Sequence, residues 1–346
     1  MSNIRPLTIA EAADIICKKR ALILCHVNPD GDAVGSGTAL LELIRLTGGD
    51  GCLVAPSPVA ERLAFITGGA DTSYREGMES EFDLVLTVDT ASPTQLGELA
   101  HLADKVAVSF DHHESCTLYS PHVLYGGSAA AGLVIFDLFL ELERRGRISG
   151  DASGVLRRIY AAISSDTGSF KYANATSEAF AAAAEICARL KNAPAGEGAP
   201  IDKMAVSDIS SALFDNVTKK DVAARQIAYR NLRYICGGKI ALSAITSEDM
   251  AAAGLKMDDL SCAVDCVCSI GGTALGIVLK QSANDTWRGS SRANGDVDLS
   301  VPAAALGGGG HKRAAGFTVI ADSLCEAIQV VEKTFGDALL GEGTNE

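Results

Sequence analysis

Residues 21–27, ALILCHV, form one continuous apolar run, and the polar stretch Asn28-Pro29-Asp30-Gly31-Asp32 follows at once. A run of that length with no polar alternation is what a strand buried on both faces of a sheet requires. Both faces must then be covered, and the next segments are suited to that. Helical periodicity follows over 37–46 and closes at Gly48-Gly49. Further strand candidates are 52–55, 84–88 and 106–110, and helical patterns occupy 128–145, 152–164 and 177–190. Strands separated by helices imply an α/β fold, a mostly parallel sheet with helices on both faces.

The pattern breaks at 191–201 (KNAPAGEGAPI), where two Pro and two Gly read as a linker. Helical segments continue to about 232, and the character then changes to strands with Gly-rich turns. Strands are expected at 239–245, 274–280, 287–292 and 317–320, with a last helix over 324–340. The expected division is a first domain at 1–190, a linker at 191–204 and a smaller α/β domain at 205–346. No repeat of solenoid type is visible.

The net charge of −13, from 30 basic and 43 acidic residues, argues against a protein that tracks along long duplex nucleic acid. A small anion held by local cations is still compatible with it. The window 280–313 carries five basic residues (Lys280, Arg288, Arg292, Lys312, Arg313) against Asp285, Asp296 and Asp298. No stretch reaches the ~18 apolar residues of a membrane span, and the acidic N-terminal segment does not read as a secretion signal. A cytoplasmic protein without a membrane partner is expected. The ten cysteines then read as free thiols. Cys266 and Cys268 would share one face of a strand with Cys262 nearby, and buried structural cysteines are favoured over a zinc site.

Four polar clusters fall where strands or helices end. They are His26 with Asp30 and Asp32, then Asp89, then Asp111-His112-His113, then Asp166. Each alone has a plain reading as a turn or helix cap. In an open α/β sheet, however, all four would gather beyond the carboxyl ends of the strands. That many carboxylates in a partly dry cleft repel one another unless cations intervene. Mixed imidazole and carboxylate donors suit manganese, and zinc, iron or cobalt less distinctively. Two cations sharing a carboxylate can activate a water and neutralise a phosphate oxygen.

In order and spacing these residues resemble the four motifs of the DHH phosphoesterase family. The second half is similar to the DHH-associated C-terminal domain through Gly307-Gly308-Gly309-Gly310-His311 and Ala314-Ala315-Gly316. The resemblance implies an active site in the cleft between two domains and two divalent ions, manganese foremost, with magnesium or cobalt as substitutes. It implies His26, Asp30 and Asp89 on one ion, and Asp32, Asp89, His112 and Asp166 on the other, with Asp89 shared. His113 would face the phosphate and Asp111 would orient a ligand histidine.

Among the family's branches, length and motifs leave the stand-alone oligoribonuclease and pAp phosphatase type. Substrates would be RNA of two to five nucleotides, pAp or pApA, and a homodimer is left open. Ser290, Arg292, Gly308, Gly309, Gly310, His311, Lys312 and Arg313 are the expected substrate contacts. Ser291 and Ala293 depart from the branch's Ser-Leu-Arg-Ser pattern. Trp287 reads as core, with base stacking the competing role. The alternatives are a cyclic di-AMP or pApA phosphodiesterase, a nucleotide sensor without turnover, and an editing or tRNA-binding module.

Overall fold

The computed structural model describes residues 4–193, 198–295 and 297–341, and the side chains of 311, 340 and 341 lie outside that description. The chain forms two compact units, Met1–Asn216 and Val217–Glu346. The first contains, in order, α1 (Ile9–Ile16), β1 (Arg20–Leu24), α2 (Gly31–Leu46), β2 (Asp50–Val54), α3 (Ala64–Thr67), β3 (Leu84–Val88), β4 (Val106–Asp111), β5 (His122–Leu124), α4 (Ala131–Arg144), α5 (Ser153–Asp166), α6 (Ser177–Leu190) and α7 (Val206–Phe214). The second contains α8 (Lys219–Arg230), β6 (Leu232–Ile235), β7 (Ile240–Ile245), α9 (Ser247–Ala253), α10 (Ser261–Cys268), β8 (Leu275–Ala283), β9 (Thr286–Ala293), α11 (Ser300–Ala305), β10 (Gly309–His311), β11 (Ala314–Ile320) and α12 (Leu324–Gly341).

The first unit is built on a parallel five-stranded sheet of order β2-β1-β3-β4-β5. The apolar run places β1 at its interior, and successive side chains divide between two cores. Ala21 and Ile23 join the cluster formed with α1, α2, α4, α5 and α6. Leu22 and Leu24 join a smaller one with Leu96, Leu99 and Leu102. Those last residues lie in short 3-10 turns over 93–105, broken at Gly97 (φ 54°), so one face carries helices and the other mainly this wound segment. The chain leaves β1 to form β2 on one side and returns to form β3 on the other. The carboxyl ends of β1 and β3 therefore make a switch point, where a ligand crevice is expected.

Helices α2 and α5 pack backbone to backbone. A Cβ at Gly35 would lie 2.9 Å from the Ala162 nitrogen and the Arg158 carbonyl, and one at Gly31 would collide with Ser165. This contact brings the start of α2, with Asp30 and Asp32, against the end of α5, with Asp166. Asp30 caps α2 by accepting from the N–H groups of Asp32 and Ala33, both at 3.0 Å.

The linker region does not separate the units. Residues 194–197 lie outside the described residues, but Asp202 pairs with buried Arg158, and Arg157 donates to the Met204 carbonyl at 2.9 Å. Ile209 of α7 enters the first core, and the Tyr160 and Ser210 hydroxyls are 3.0 Å apart. The boundary thus falls at Asn216/Val217 and not at 204/205. The apolar residues that decide it are too few to stand out in the sequence.

The second unit is a mixed sheet of order β10-β11-β9-β8-β7-β6, with only the β7–β8 pair parallel. One face packs on α11 and α12 through Trp287, Phe317 and Phe335, so Trp287 is core. The other face, through Ala241, Ile245 and Val278, meets α8 and α10. Cys262, Cys266 and Cys268 lie on helix α10, not on a strand. Their alternation is incidental to a helical apolar pattern at Ala263, Val264 and Val267. All ten cysteines are free thiols. No helix among the described residues is long and apolar enough to cross a membrane.

Gly35→Val should cost about 1–3 kcal/mol of unfolding free energy, because the backbone of α5 leaves no room for the added carbons. Urea unfolding with an unchanged midpoint would show that the two helices are not held this closely.

Candidate metal centre

The polar residues singled out in the first unit meet at the switch point. Three overlapping groups form, each with its donor atoms within 4.8 Å of one another: His26, Asp30 and Asp89; Asp32, His112 and Asp166; Asp89, His112 and His113. All six expected metal ligands are included, and so is His113.

Asp89 sits at the centre. It follows β3 directly, and its backbone adopts φ 51°, a left-handed conformation that aspartate tolerates better than most residues. Asn28, in the loop after β1, does the same at φ 53°. Such strain at two neighbouring turns is held by the surrounding structure and marks functional sites. The His26 Nε2 lies 3.6 Å from Asp89 Oδ2 and 4.0 Å from Asp30 Oδ1. On the other side the His112 Nε2 lies 3.2 Å from Asp89 Oδ1 and 3.7 Å from both Asp32 Oδ2 and Asp166 Oδ2.

Each imidazole is turned by its second nitrogen. His26 Nδ1 bonds the Val27 carbonyl at 2.9 Å, and His112 Nδ1 bonds the Ser128 carbonyl at 2.8 Å. Both contacts leave Nε2 for the centre, the arrangement that metal-ligating histidines favour. Asp111 Oδ1 accepts a hydrogen bond from His113 Nδ1 at 2.7 Å and another from the His112 backbone N–H at 2.9 Å. Asp111 therefore orients the ring of His113; the His112 ring is oriented by Ser128.

Asp32 carries a second duty. Its oxygens accept from the Ala131 N–H at 2.6 Å, the Gly132 N–H at 3.0 Å and the Ser36 hydroxyl at 2.8 Å. It thereby fixes the N-terminus of α4, whose free N–H groups and dipole favour a carboxylate. Ser128, Ala131, Gly132 and Asn174, which donates to the Asp166 and Ala129 carbonyls, are contributors that sequence reasoning missed. The small-residue run GGSAAAG at 126–132 was their signal, since only a backbone without bulk approaches a buried carboxylate this closely.

The electrostatics follow from crowding. Burial pushes Asp32 well above the usual carboxylate range, and Asp89 and Asp166 add to it. Burial, with Asp30 and Asp89, raises Asp166 to about 6 against the pull of His112. Asp89 goes the other way: burial opposes its charge, but the His112 and His26 rings hold it well below the ordinary value. Those rings are affected in turn. Burial disfavours their charge, yet Asp89 and the Val27 carbonyl bring His26 to about 9, while Asp89 and Asp32 bring His112 to about 10. His113 is raised chiefly by Asp111. A cation entering here must displace protons from both rings.

Asp89 Oδ1 is buried and has no hydrogen-bond partner among the described residues. His112 Nε2 is near enough for an ion pair but not aligned to donate. Buried carboxylate oxygens rarely remain unsatisfied. With three further carboxylates (Asp30, Asp32 and Asp166) and two turned imidazoles around it, the donor set fits divalent cations.

Comparison with known proteins agrees with this geometry. Residues 20–163 match the DHH family N-terminal domain, and residues 237–337 match the DHHA1 domain. The chain belongs to the DHH family of phosphoesterases. The bifunctional oligoribonuclease and PAP phosphatase NrnA of Thermus thermophilus is 26% identical over 328 residues, covering 93% of this chain and 90% of that protein. An exopolyphosphatase-related protein of Bacteroides fragilis matches with a TM-score of 0.82 at 19% identity, over 96% of this chain and 97% of its own. Exonuclease RecJ bound to manganese matches with a TM-score of 0.55 at 16% identity, over 98% and 96%. The two structural matches bear on the fold alone.

In this DHH phosphoesterase the expected substrate contacts lie in the second unit. Ser290 and Arg292 are on β9, facing away from the Trp287 core. The glycine run is not a free loop. A Cβ at Gly308 would strike the Gly316 carbonyl, and one at Gly310 the Ala314 carbonyl, so glycine is required where β10 crosses β11. Gly309 has open space on its Cβ side. His311 ends β10, its side chain outside the description, and Lys312-Arg313 form the turn into β11.

Asp89→Asn should lower manganese affinity roughly 100-fold or more, whereas Asp111→Asn, one bond removed from the centre, should cost about 10-fold or less. Isothermal titration would decide, and equal losses in the two variants would contradict the central place given to Asp89.

Proposed function

We propose that this chain is a manganese-dependent phosphoesterase that cleaves RNA of two to five nucleotides to mononucleotides and converts pAp to AMP and phosphate. The observation that carries the reading is the buried, unsatisfied Asp89 Oδ1 between His26/Asp30 on one side and Asp32/His112/Asp166 on the other. The named activities of the Thermus thermophilus relative support the choice of substrate. The mixed imidazole and carboxylate donor set accords with manganese.

His26, Asp30 and Asp89 would hold one ion, and Asp32, Asp89, His112 and Asp166 the other. Bound divalent cations supply charge neutralisation at a phosphate and a lowered pKa for water. The chain's own groups do the rest. With Nδ1 of His113 committed to Asp111, Nε2 is the nitrogen left for substrate. The Asp111 carboxylate raises the proton affinity of that ring, which suits it to donating to a phosphate oxygen or to the leaving oxygen. In the second unit, Arg292 suits bidentate contact with a phosphate. Ser290, Gly308, Gly309, Gly310, His311, Lys312 and Arg313 are the other contacts in this reading.

His113→Asn should reduce kcat about 100-fold or more while the bound metal stays the same. A variant that lost metal in proportion to activity would make His113 a ligand instead. The substrate assignment is tested by manganese-dependent turnover of pAp, pApA, cyclic di-AMP and RNA of graded length. Preference for two to five nucleotides is expected. Activity confined to pApA and cyclic di-AMP would mark a signalling phosphodiesterase, and binding without turnover would mark a sensor.

A further inference from the structure

The second unit carries a cationic strip that extends beyond Arg292 to Lys280 and Arg288, to which no motif assigned a role. Arg288, Ser290 and Arg292 alternate along one face of β9, while Trp287 and Ser291 turn to the other, into the core and onto the Ala315 carbonyl. Lys280 of β8 is the direct cross-strand partner of Arg288, so its side chain shares that face. On β11 the partners of Arg288, Ser290 and Arg292 are Thr318, Gly316 and Ala314. Arg288, Gly316 and Thr318 are exposed, so this part of the face is open and its floor is low.

Like charges facing each other across a strand pair are destabilising, yet Lys280 and Arg288 do so directly. Among the described residues, none of Lys280, Arg288 and Arg292 has a carboxylate within ion-pair distance. The Arg292 guanidinium instead donates to the Ser291 carbonyl at 3.0 Å. Asp258 acts on Lys280 and Asp265 on Arg292 through charge at a distance, and neither closes a salt bridge with them. Lys280 responds to this setting: burial, then Arg292 and Arg288, make its proton easier to lose. In a chain with a net charge of −13, these three neighbouring cations have no salt-bridge partner among the described residues, Arg288 exposed and Lys280 and Arg292 half-buried on the face that α10 partly covers. An anion is the group that relieves them. Arg288 and Arg292 are four residues apart, about 13 Å along the strand, so an extended polyanion spans them better than one phosphate does.

We infer that Lys280 and Arg288, continuing from Arg292, hold the non-reacting phosphates of an oligonucleotide and set the preference for longer over shorter substrates. This rests on the reading of the chain as an oligonucleotide phosphoesterase. The strand-like spacing of the cations favours a backbone-tracking strip, as in other single-strand binders.

The test uses the full chain with manganese and the variants Lys280→Gln, Arg288→Gln and both together. The ratio of kcat/KM for a pentaribonucleotide to that for a diribonucleotide should fall about tenfold in the double variant, the loss of exposed charge-assisted contacts. The dependence of log(kcat/KM) for the pentanucleotide on log salt should flatten by about 0.7 for each cation removed. Arg288→Lys should keep the original slope. An unchanged ratio and slope, or an equal loss on both substrates, would overturn the inference and leave the proposed function standing. Failure of the unaltered protein to cleave any oligonucleotide would instead remove the function on which the inference depends.

Discussion

A carboxylate with almost no access to water, held between two imidazoles and left with one oxygen unsatisfied, is the constraint around which the first unit is arranged. Against its burial, His112 and His26 hold the Asp89 carboxyl well below the usual carboxylate range. Asp30, Asp32 and Asp166 crowd the same space. Burial and like charge both work against this collection, and a hydrophobic core would tolerate none of it without compensation. The compensation is divided. Protons on the rings answer part of the charge, the α4 N-terminus answers Asp32, and divalent cations suit the remainder.

The scaffold holds these groups in place at some cost to itself. At this edge of the sheet two non-glycine residues adopt left-handed backbone, Asn28 in the loop after β1 and Asp89 directly after β3. Gly31 and Gly35 give up side chains so that α2 and α5 can touch, and the small residues before α4 let its backbone reach Asp32. These features are individually unfavourable and lie together at one edge of one sheet. A fold accumulates strain, glycine and buried charge in one place where chemistry requires it.

Much of this could be read from the residues. The central strand was legible because its apolar run is unbroken, and the meeting of His26, Asp30, Asp32, Asp89, His112 and Asp166 because acid and histidine clusters recur at strand and helix ends. What escaped notice was short or depended on tertiary contact. The helix over Ile9–Ile16 and the three-residue strand at 122–124 are too brief for a periodic signal. Cys266 and Cys268 suggested a strand because a spacing of two mimics one, whereas Ala263, Val264 and Val267 set a helix against the sheet. Asp111 was read as serving a ligand histidine. Two adjacent histidines give no indication of which ring meets it, and the Ser128 carbonyl settles that from a distant part of the chain. The glycine run was read only as a set of substrate contacts, but two of its members, Gly308 and Gly310, are also glycine because the next strand passes too close for a side chain.

The account stands on one carboxylate being shared by two cations. Electron paramagnetic resonance during a titration of the full chain with manganese tests that directly. Two equivalents should bind and give the spectrum of an exchange-coupled pair, and Asp89→Asn should abolish the coupling. Saturation at one equivalent, or two ions with independent spectra, would contradict it.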